Sequence, residues 1–213
     1  MMQVKQFQVN PFQENTYLLF DDMTHEAALI DCGCLSSDEW ARVKEVIDAE
    51  NLTVKLLLNT HMHLDHCFGN HFVAQTYGVL PQGHRDDEFL IEQMPMQAQL
   101  FGVPVEVHPQ PMGGYLIHDD EIHFGQISLL TLYVPGHSPG SLCFYCQKEK
   151  VVFVGDVLFN GSIGRTDLPK GNYAQLISGI QQQLLTLPDD TTVFCGHGPH
   201  TTIGHERLNN PFL

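Results

Sequence analysis

Thr60-His61-Met62-His63-Leu64-Asp65-His66 places four side chains able to ligate metal, His61, His63, Asp65 and His66, within six consecutive positions. The aliphatic run Val54 to Leu58 leads directly into it, and a run so short and so aliphatic suits a buried strand better than a helix. A continuous helix would send positions 61, 63, 65 and 66 in several directions. A loop leaving a strand end can instead wrap them around one point. Imidazole and carboxylate are ligands that suit zinc, iron and manganese alike.

Three further segments end an apolar run in a His or Asp beside Gly or Pro: Leu132-Tyr133-Val134-Pro135-Gly136-His137, Phe153-Val154-Gly155-Asp156 and Val193-Phe194-Cys195-Gly196-His197-Gly198. In layered α/β proteins, loops at strand ends gather functional groups. One such end is an ordinary turn, whereas four with the same pattern predict a shared site.

Around these segments, residues 3 to 9, Thr16 to Phe20 and Ala27 to Ile30 read as strands. Ser36 and Glu39 have capping-box spacing before a helix that runs to Asn51. Asn70 to Tyr77 predicts a helix stopped by Gly78, and Asp86 to Leu100 a helix bent or broken at Pro95. Ile127 to Val134, Ser141 to Cys146 and Val151 to Val154 predict a meander. Tyr173 to Leu187 then reads as a helix and Thr191 to Cys195 as a last strand. This β-rich, helical, β-rich, helical order predicts an α/β protein of two similar halves, sheets inside and helices outside.

The 213 residues, 43% of them hydrophobic, are expected to form one domain over 1–213. Ten Lys and Arg against 25 Asp and Glu give a net charge of −15, which argues against nucleic acid or an anionic membrane as partner. No apolar stretch approaches the roughly 20 residues of a membrane span, and no signal-peptide pattern opens the chain. Six cysteines in a chain with an adequate core need not be disulfides, so a reducing, cytoplasmic setting is expected, with the protein a monomer or weak homo-oligomer. Cys143 and Cys146 have zinc-knuckle spacing, but on a strand that separation points the thiols to opposite faces. Cys67 reads as a packed thiol, and His200 as a residue that could line a pocket mouth.

The order His-x-His-x-Asp-His, then His, Asp and His is complete in this chain. It resembles the metallo-β-lactamase superfamily over essentially the whole length. The resemblance implies a four-layer αβ/βα sandwich of two mixed sheets with outer helices. It also implies one metal held by His61, His63 and His137, a second by Asp65, His66 and His197, and Asp156 bridging the two. The ions would be two divalent metals, zinc first, with iron or manganese as alternatives, and Asp65 and Asp156 would take catalytic roles. Asp31 resembles the family's aspartate that supports the ligating histidines; as a plain turn residue it would have no such role.

Gly155-Asp156-Val157-Leu158-Phe159, Gly164-Arg165-Thr166-Asp167 and the ending Gly196-His197-Gly198-Pro199 through Arg207 look like the short glyoxalase II-like, or hydroxyacylglutathione hydrolase-like, branch. That similarity implies hydrolysis of small acyl thioesters of the S-lactoylglutathione type by attack of a metal-bridging hydroxide. Arg165 then either contacts the thioester or only pairs with Asp167. Larger members carry a C-terminal helical domain that grips glutathione, and none is expected here. Two of their glutathione-binding tyrosines correspond to Asp167 and Pro199. Persulfide dioxygenases share several of these segments and imply an alternative, one iron held by His61, His137 and Asp156.

Overall fold

A positive-φ turn at Asn10 and Gln13 folds β1 (Met2–Val9) back onto β2 (Glu14–Asp21) in an antiparallel hairpin. The computed structural model describes residues 1–213. β2 pairs antiparallel with β3 (Glu26–Ile30). From there the sheet turns parallel, and each step needs a crossover on one face. α1 (Ser37–Ala49) leads to β4 (Thr53–Leu58), α2 (Leu64–Cys67) and α3 (Asn70–Tyr77) lead to β5 (Pro81–Gly83), and α4 (Glu88–Leu100) leads to β6 (Gly114–Tyr115).

The second sheet begins as the expected meander, β7 (Glu121–Phe124), β8 (Ile127–Tyr133), β9 (Leu142–Cys146) and β10 (Val151–Gly155). The small hairpin of β11 (Leu158–Phe159) and β12 (Ser162–Ile163) precedes α5 (Tyr173–Gly179). β13 (Thr192–Cys195) then returns parallel to β10, followed by β14 (Thr201–Thr202) and α6 (Ile203–Asn209). The strand orders are β1-β2-β3-β4-β5-β6 and β14-β13-β10-β9-β8-β7.

The core shows the layering directly. Tyr17, Leu19, Ile30 and Leu58 of the first sheet pack against Phe124, Leu129, Phe144 and Phe153 of the second. The alternate residues Leu18, Phe20, Leu29 and Leu57 face Trp40, Val43 and Ile47 of α1. On the far side Leu132, Val152 and Val154 face Leu176, Ile180 and Leu184. The order is helix, sheet, sheet, helix, as expected. Both faces of the inner strands are covered, which is why β2 is buried along its whole length and reads as continuous rather than alternating. Cys143 and Cys146 fall in different core layers, as their spacing predicted, and all six cysteines are free thiols. No helix is long and apolar enough to cross a membrane.

The capping box of Ser36 and Glu39 forms, and Gly78 closes α3 at φ +70°. Two expectations need correction. α4 is not broken at Pro95, one of the two outcomes expected there, because Leu90, Ile91, Met94 and Ala98 bury on both sides of the proline and hold the helix together despite one missing hydrogen bond. The helix expected over Tyr173 to Leu187 is α at first and becomes a π-helical turn from Ile180 to Leu184, which keeps Ile180 and Leu184 in the core beside Leu176.

Candidate metal centre

The strand ends converge as the sequence predicts, and all seven expected ligands come together. β4 delivers His61 and His63 in extended chain, and the single turn of α2 then presents Asp65 and His66, so the segment is half loop and half helix. His137 follows β8, Asp156 directly follows β10, and His197 follows β13. The glycines at these ends permit close approach. Gly155 sits at φ +52°, and a Cβ at Gly196 would stand 2.3 Å from Asp156 Oδ1.

His61 Nε2 and His63 Nδ1 lie 3.3 and 2.9 Å from His137 Nε2. Tetrahedral zinc with Zn–N bonds of about 2.0–2.1 Å spaces its nitrogens by about 3.3 Å, so this triangle fits one cation. His197 Nε2 is 3.2 Å and His66 Nε2 3.8 Å from Asp65 Oδ2, forming a second group. Asp156 reaches both groups: Oδ1 is 3.4 Å from His66 Nε2, while Oδ2 is 3.6 Å from His137 Nε2 and 3.5 Å from His197 Nε2.

The far side of four rings is fixed by acceptors. His137 Nδ1–H donates to the Arg165 carbonyl at 2.8 Å, and His197 Nδ1–H to the Phe12 carbonyl at 3.0 Å. His66 Nδ1–H donates to Asp31 Oδ2 at 3.1 Å. Thr60 Oγ1 donates to the same carboxyl oxygen at 2.7 Å and accepts from His61 Nδ1–H at 3.0 Å. With Nδ1 protonated, each of these rings turns a bare Nε2 lone pair inward, the tautomer that a metal needs. Asp31 is therefore no plain turn residue. It is buried at φ +52°, accepts the Thr60 backbone N–H at 2.7 Å as well, and orients His66 directly and His61 through Thr60.

The electrostatics are those of a site suited to cations. Burial pushes His61 well below the usual imidazole range and His63 down to about 3, with neighbouring imidazoles adding to it. His66 goes the other way: burial opposes its charge, yet the Asp156 and Asp65 carboxylates raise it well above that range. Two carboxylates beside one buried imidazole favour positive charge at this place. His66 Nε2 and Asp156 Oδ1 are also buried with no hydrogen-bond partner. Such orphans are costly, and a cation between them would satisfy both.

Arg165 lines the cleft above the site and also forms a two-pronged ion pair with Asp167, Nε–Oδ1 and Nη2–Oδ2 both at 2.7 Å. His200 is exposed and outside the cleft. Cys67 is packed, with Sγ 3.5 Å from Met62 Sδ.

Two buried carboxyls escaped sequence reasoning. Glu14 lies wholly buried, pushed up by burial, with Oε1 3.9 Å from His66 Nδ1. Asp87 accepts the Met62 N–H at 3.2 Å, the Ser138 hydroxyl at 2.7 Å and the Gly140 N–H at 2.6 Å, so it ties the segment carrying His61 and His63 to the loop carrying His137. Asp87→Ala would leave the Met62 and Gly140 N–H groups without an acceptor, each worth about 1–3 kcal/mol, while the Ser138 hydroxyl could still turn to Ser141 Oγ at 2.8 Å. Urea unfolding of the metal-free variant is expected to show a loss of roughly 2 kcal/mol or more; a loss under about 1 kcal/mol would contradict this role.

Comparison with known proteins agrees with the fold. The profile of the metallo-beta-lactamase superfamily matches residues 9–197. Hydroxyacylglutathione hydrolase GloC of Haemophilus influenzae is 41% identical over 213 residues, covering 100% of this chain and 98% of that protein. Among solved structures, the BLEG-1 B3 metallo-beta-lactamase superposes with a TM-score of 0.89 at 36% identity over 99% of both chains. TTHA1623 in a di-iron-bound form does so with 0.85 at 33% identity, over 99% of this chain and 100% of that one. A profile match over residues 9–197 and a full-length relative at 41% identity establish that the chain belongs to the metallo-beta-lactamase superfamily.

Proposed function

We propose that this protein is a dinuclear metal-dependent hydrolase of small acyl thioesters, glyoxalase II-like in its chemistry. The observation that carries the reading is the inward-facing set of seven ligand side chains with two orphaned atoms, His66 Nε2 and Asp156 Oδ1, at the floor of an open cleft. The similarity to a hydroxyacylglutathione hydrolase supports a thioester as substrate. His61, His63 and His137 would hold one divalent ion and Asp65, His66 and His197 the other, with Asp156 between them. The two ions, zinc or iron, would lower the pKa of a shared water toward neutrality and polarise the acyl oxygen.

The chain's own residues do the rest. Asp65 faces the cleft, where its carboxylate can accept a hydrogen bond from the attacking water and hold its direction. Asp31 and the Phe12 and Arg165 carbonyls keep four rings from rotating. The leaving thiolate, with a thiol pKa of about 8–9, departs without a general acid. Arg165 lines the cleft wall, which supports a contact with the bound thioester in this reading.

The test is turnover of S-lactoylglutathione and of uncharged acyl thioesters by metal-loaded protein, beside a chelator-treated sample and a metal analysis. About two metals per chain and a loss of at least roughly 10²-fold on chelation are expected. One iron per chain, with oxygen consumed on glutathione persulfide, would replace this reading with the dioxygenase alternative. That alternative leaves the oriented Asp65, His66 and His197 without a purpose.

A further inference from the structure

We infer that the cleft recognises the non-reacting part of its thioester as an uncharged, apolar chain and not through the carboxylates of a glutathionyl group. The inference rests on the thioester reading and concerns what the walls of the cleft select.

α4 has one apolar face in the core and a second, uncharged face on which Met96 and Leu100 alternate with glutamines. Leu90, Ile91, Met94 and Ala98 form the face packed into the core, while Gln93, Met96, Gln97 and Leu100, again at helical spacing, line a cleft of about 410 Å³ over the candidate metal centre. That second face has no partner in the fold: Met96 is 63%, Leu100 79% and the adjoining Phe101 48% exposed. Phe12 stands edge-on to Phe101 at 6.2 Å between ring centroids, and Leu168 and Pro169 also line the cleft. A helix that exposes large apolar side chains beside a polar floor has the form of a ligand-binding wall.

Charge points the same way. The only charged side chains lining the cleft are Asp65 and Asp156 at the floor and Arg165, whose guanidinium is matched by Asp167. Lys170, on the same loop, sits 3.6 Å above the Phe89 ring and lines a different groove, with Glu88 and Glu92. The two carboxylates of glutathione would therefore meet no unmatched cation on the cleft walls, in a chain whose net charge is −15. An aliphatic acyl or thiol chain laid along Met96, Leu100 and Phe101 would bury surface that is otherwise wet.

The test uses metal-loaded protein and N-acetylcysteamine thioesters from acetyl to octanoyl, with S-lactoylglutathione beside them. At about 0.8 kcal/mol per buried methylene, kcat/KM is expected to rise roughly fourfold per added methylene until the cleft is filled, chiefly through KM. Leu100→Gln and Met96→Gln change exposed positions, and each is expected to lower the octanoyl-to-acetyl ratio of kcat/KM about tenfold. A second readout is free of chemistry: calorimetric binding of S-octyl-N-acetylcysteamine, a thioether that cannot be hydrolysed, with a negative heat-capacity change. Turnover or binding independent of chain length, or an unchanged ratio in both variants, would overturn the inference while leaving thioester hydrolysis in place. Thioether binding without turnover of any thioester would instead remove the hydrolase reading and support the apolar cleft.

Discussion

Asp156→Asn is expected to lower thioester kcat/KM by on the order of 10³-fold and to reduce the metal content below two ions per chain. Metal polarisation contributes several kcal/mol of transition-state stabilisation, and each 1.4 kcal/mol is a factor of ten. Asp156 is the carboxylate within reach of both ligand groups, near His66 and His197 on one side and His137 on the other. Asparagine preserves its volume, so packing at Gly196 is undisturbed. It removes the charge and turns an N–H₂ donor toward positions where a cation belongs. Steady-state kinetics with metal analysis on the same preparation decide the matter. Two metals per chain and activity within tenfold of the unaltered protein would refute a bridging role.

Asp31→Asn isolates a different effect. Asp31 sits at φ +52°, a conformation that asparagine tolerates nearly as well as aspartate, so the turn should survive. The hydrogen bonding would not. The carboxylate accepts three donors, the Thr60 N–H, the Thr60 hydroxyl and His66 Nδ1–H, with a fourth, Asn59 Nδ2, at 3.5 Å. An amide has one acceptor oxygen, and its nitrogen would meet a hydroxyl and an imidazole N–H that also donate. His66 must then rotate or move its proton to Nε2, which removes the lone pair aimed at the site. Altering such a supporting residue costs about 10–100-fold in metal affinity. Chelator competition should show that loss, with kcat/KM falling in step. The unpaired buried donors add about 1–3 kcal/mol each, so the metal-free melting temperature should drop by several degrees. Metal affinity within twofold of the unaltered protein would reduce Asp31 to a turn residue after all.

Some elements were legible because their signals are local. Ser36 and Glu39 announce a helix start three residues apart, and Gly78 announces a stop. Strands β2, β4, β8 and β10 are long enough for their aliphatic runs to show. β5, β6, β11, β12 and β14 are two or three residues each, too short to display a period, and exist only because a neighbouring strand offers hydrogen bonds. α4 misled for a related reason. Pro95 is a local signal to break, overruled by burial of Leu90, Ile91, Met94 and Ala98, which the local signal does not reveal.

The sequence by itself determined the candidate chemistry: seven side chains able to ligate metal, their order along the chain, and the strand ends that present them. That information resides in residue type and short spacing, where ligand chemistry and steric need for glycine leave little choice. Tertiary structure alone decided how those side chains are aimed. The acceptors that set the imidazole tautomers are the backbone carbonyls of Phe12 and Arg165, which carry no residue signature, and a carboxylate at Asp31 that the sequence left open. Asp87 reaches Ser138 across 51 positions, and the second face of α4 becomes a cleft wall only once the site lies beside it. Orientation depends on groups distant in sequence meeting in a buried place, and only the closed fold brings them there.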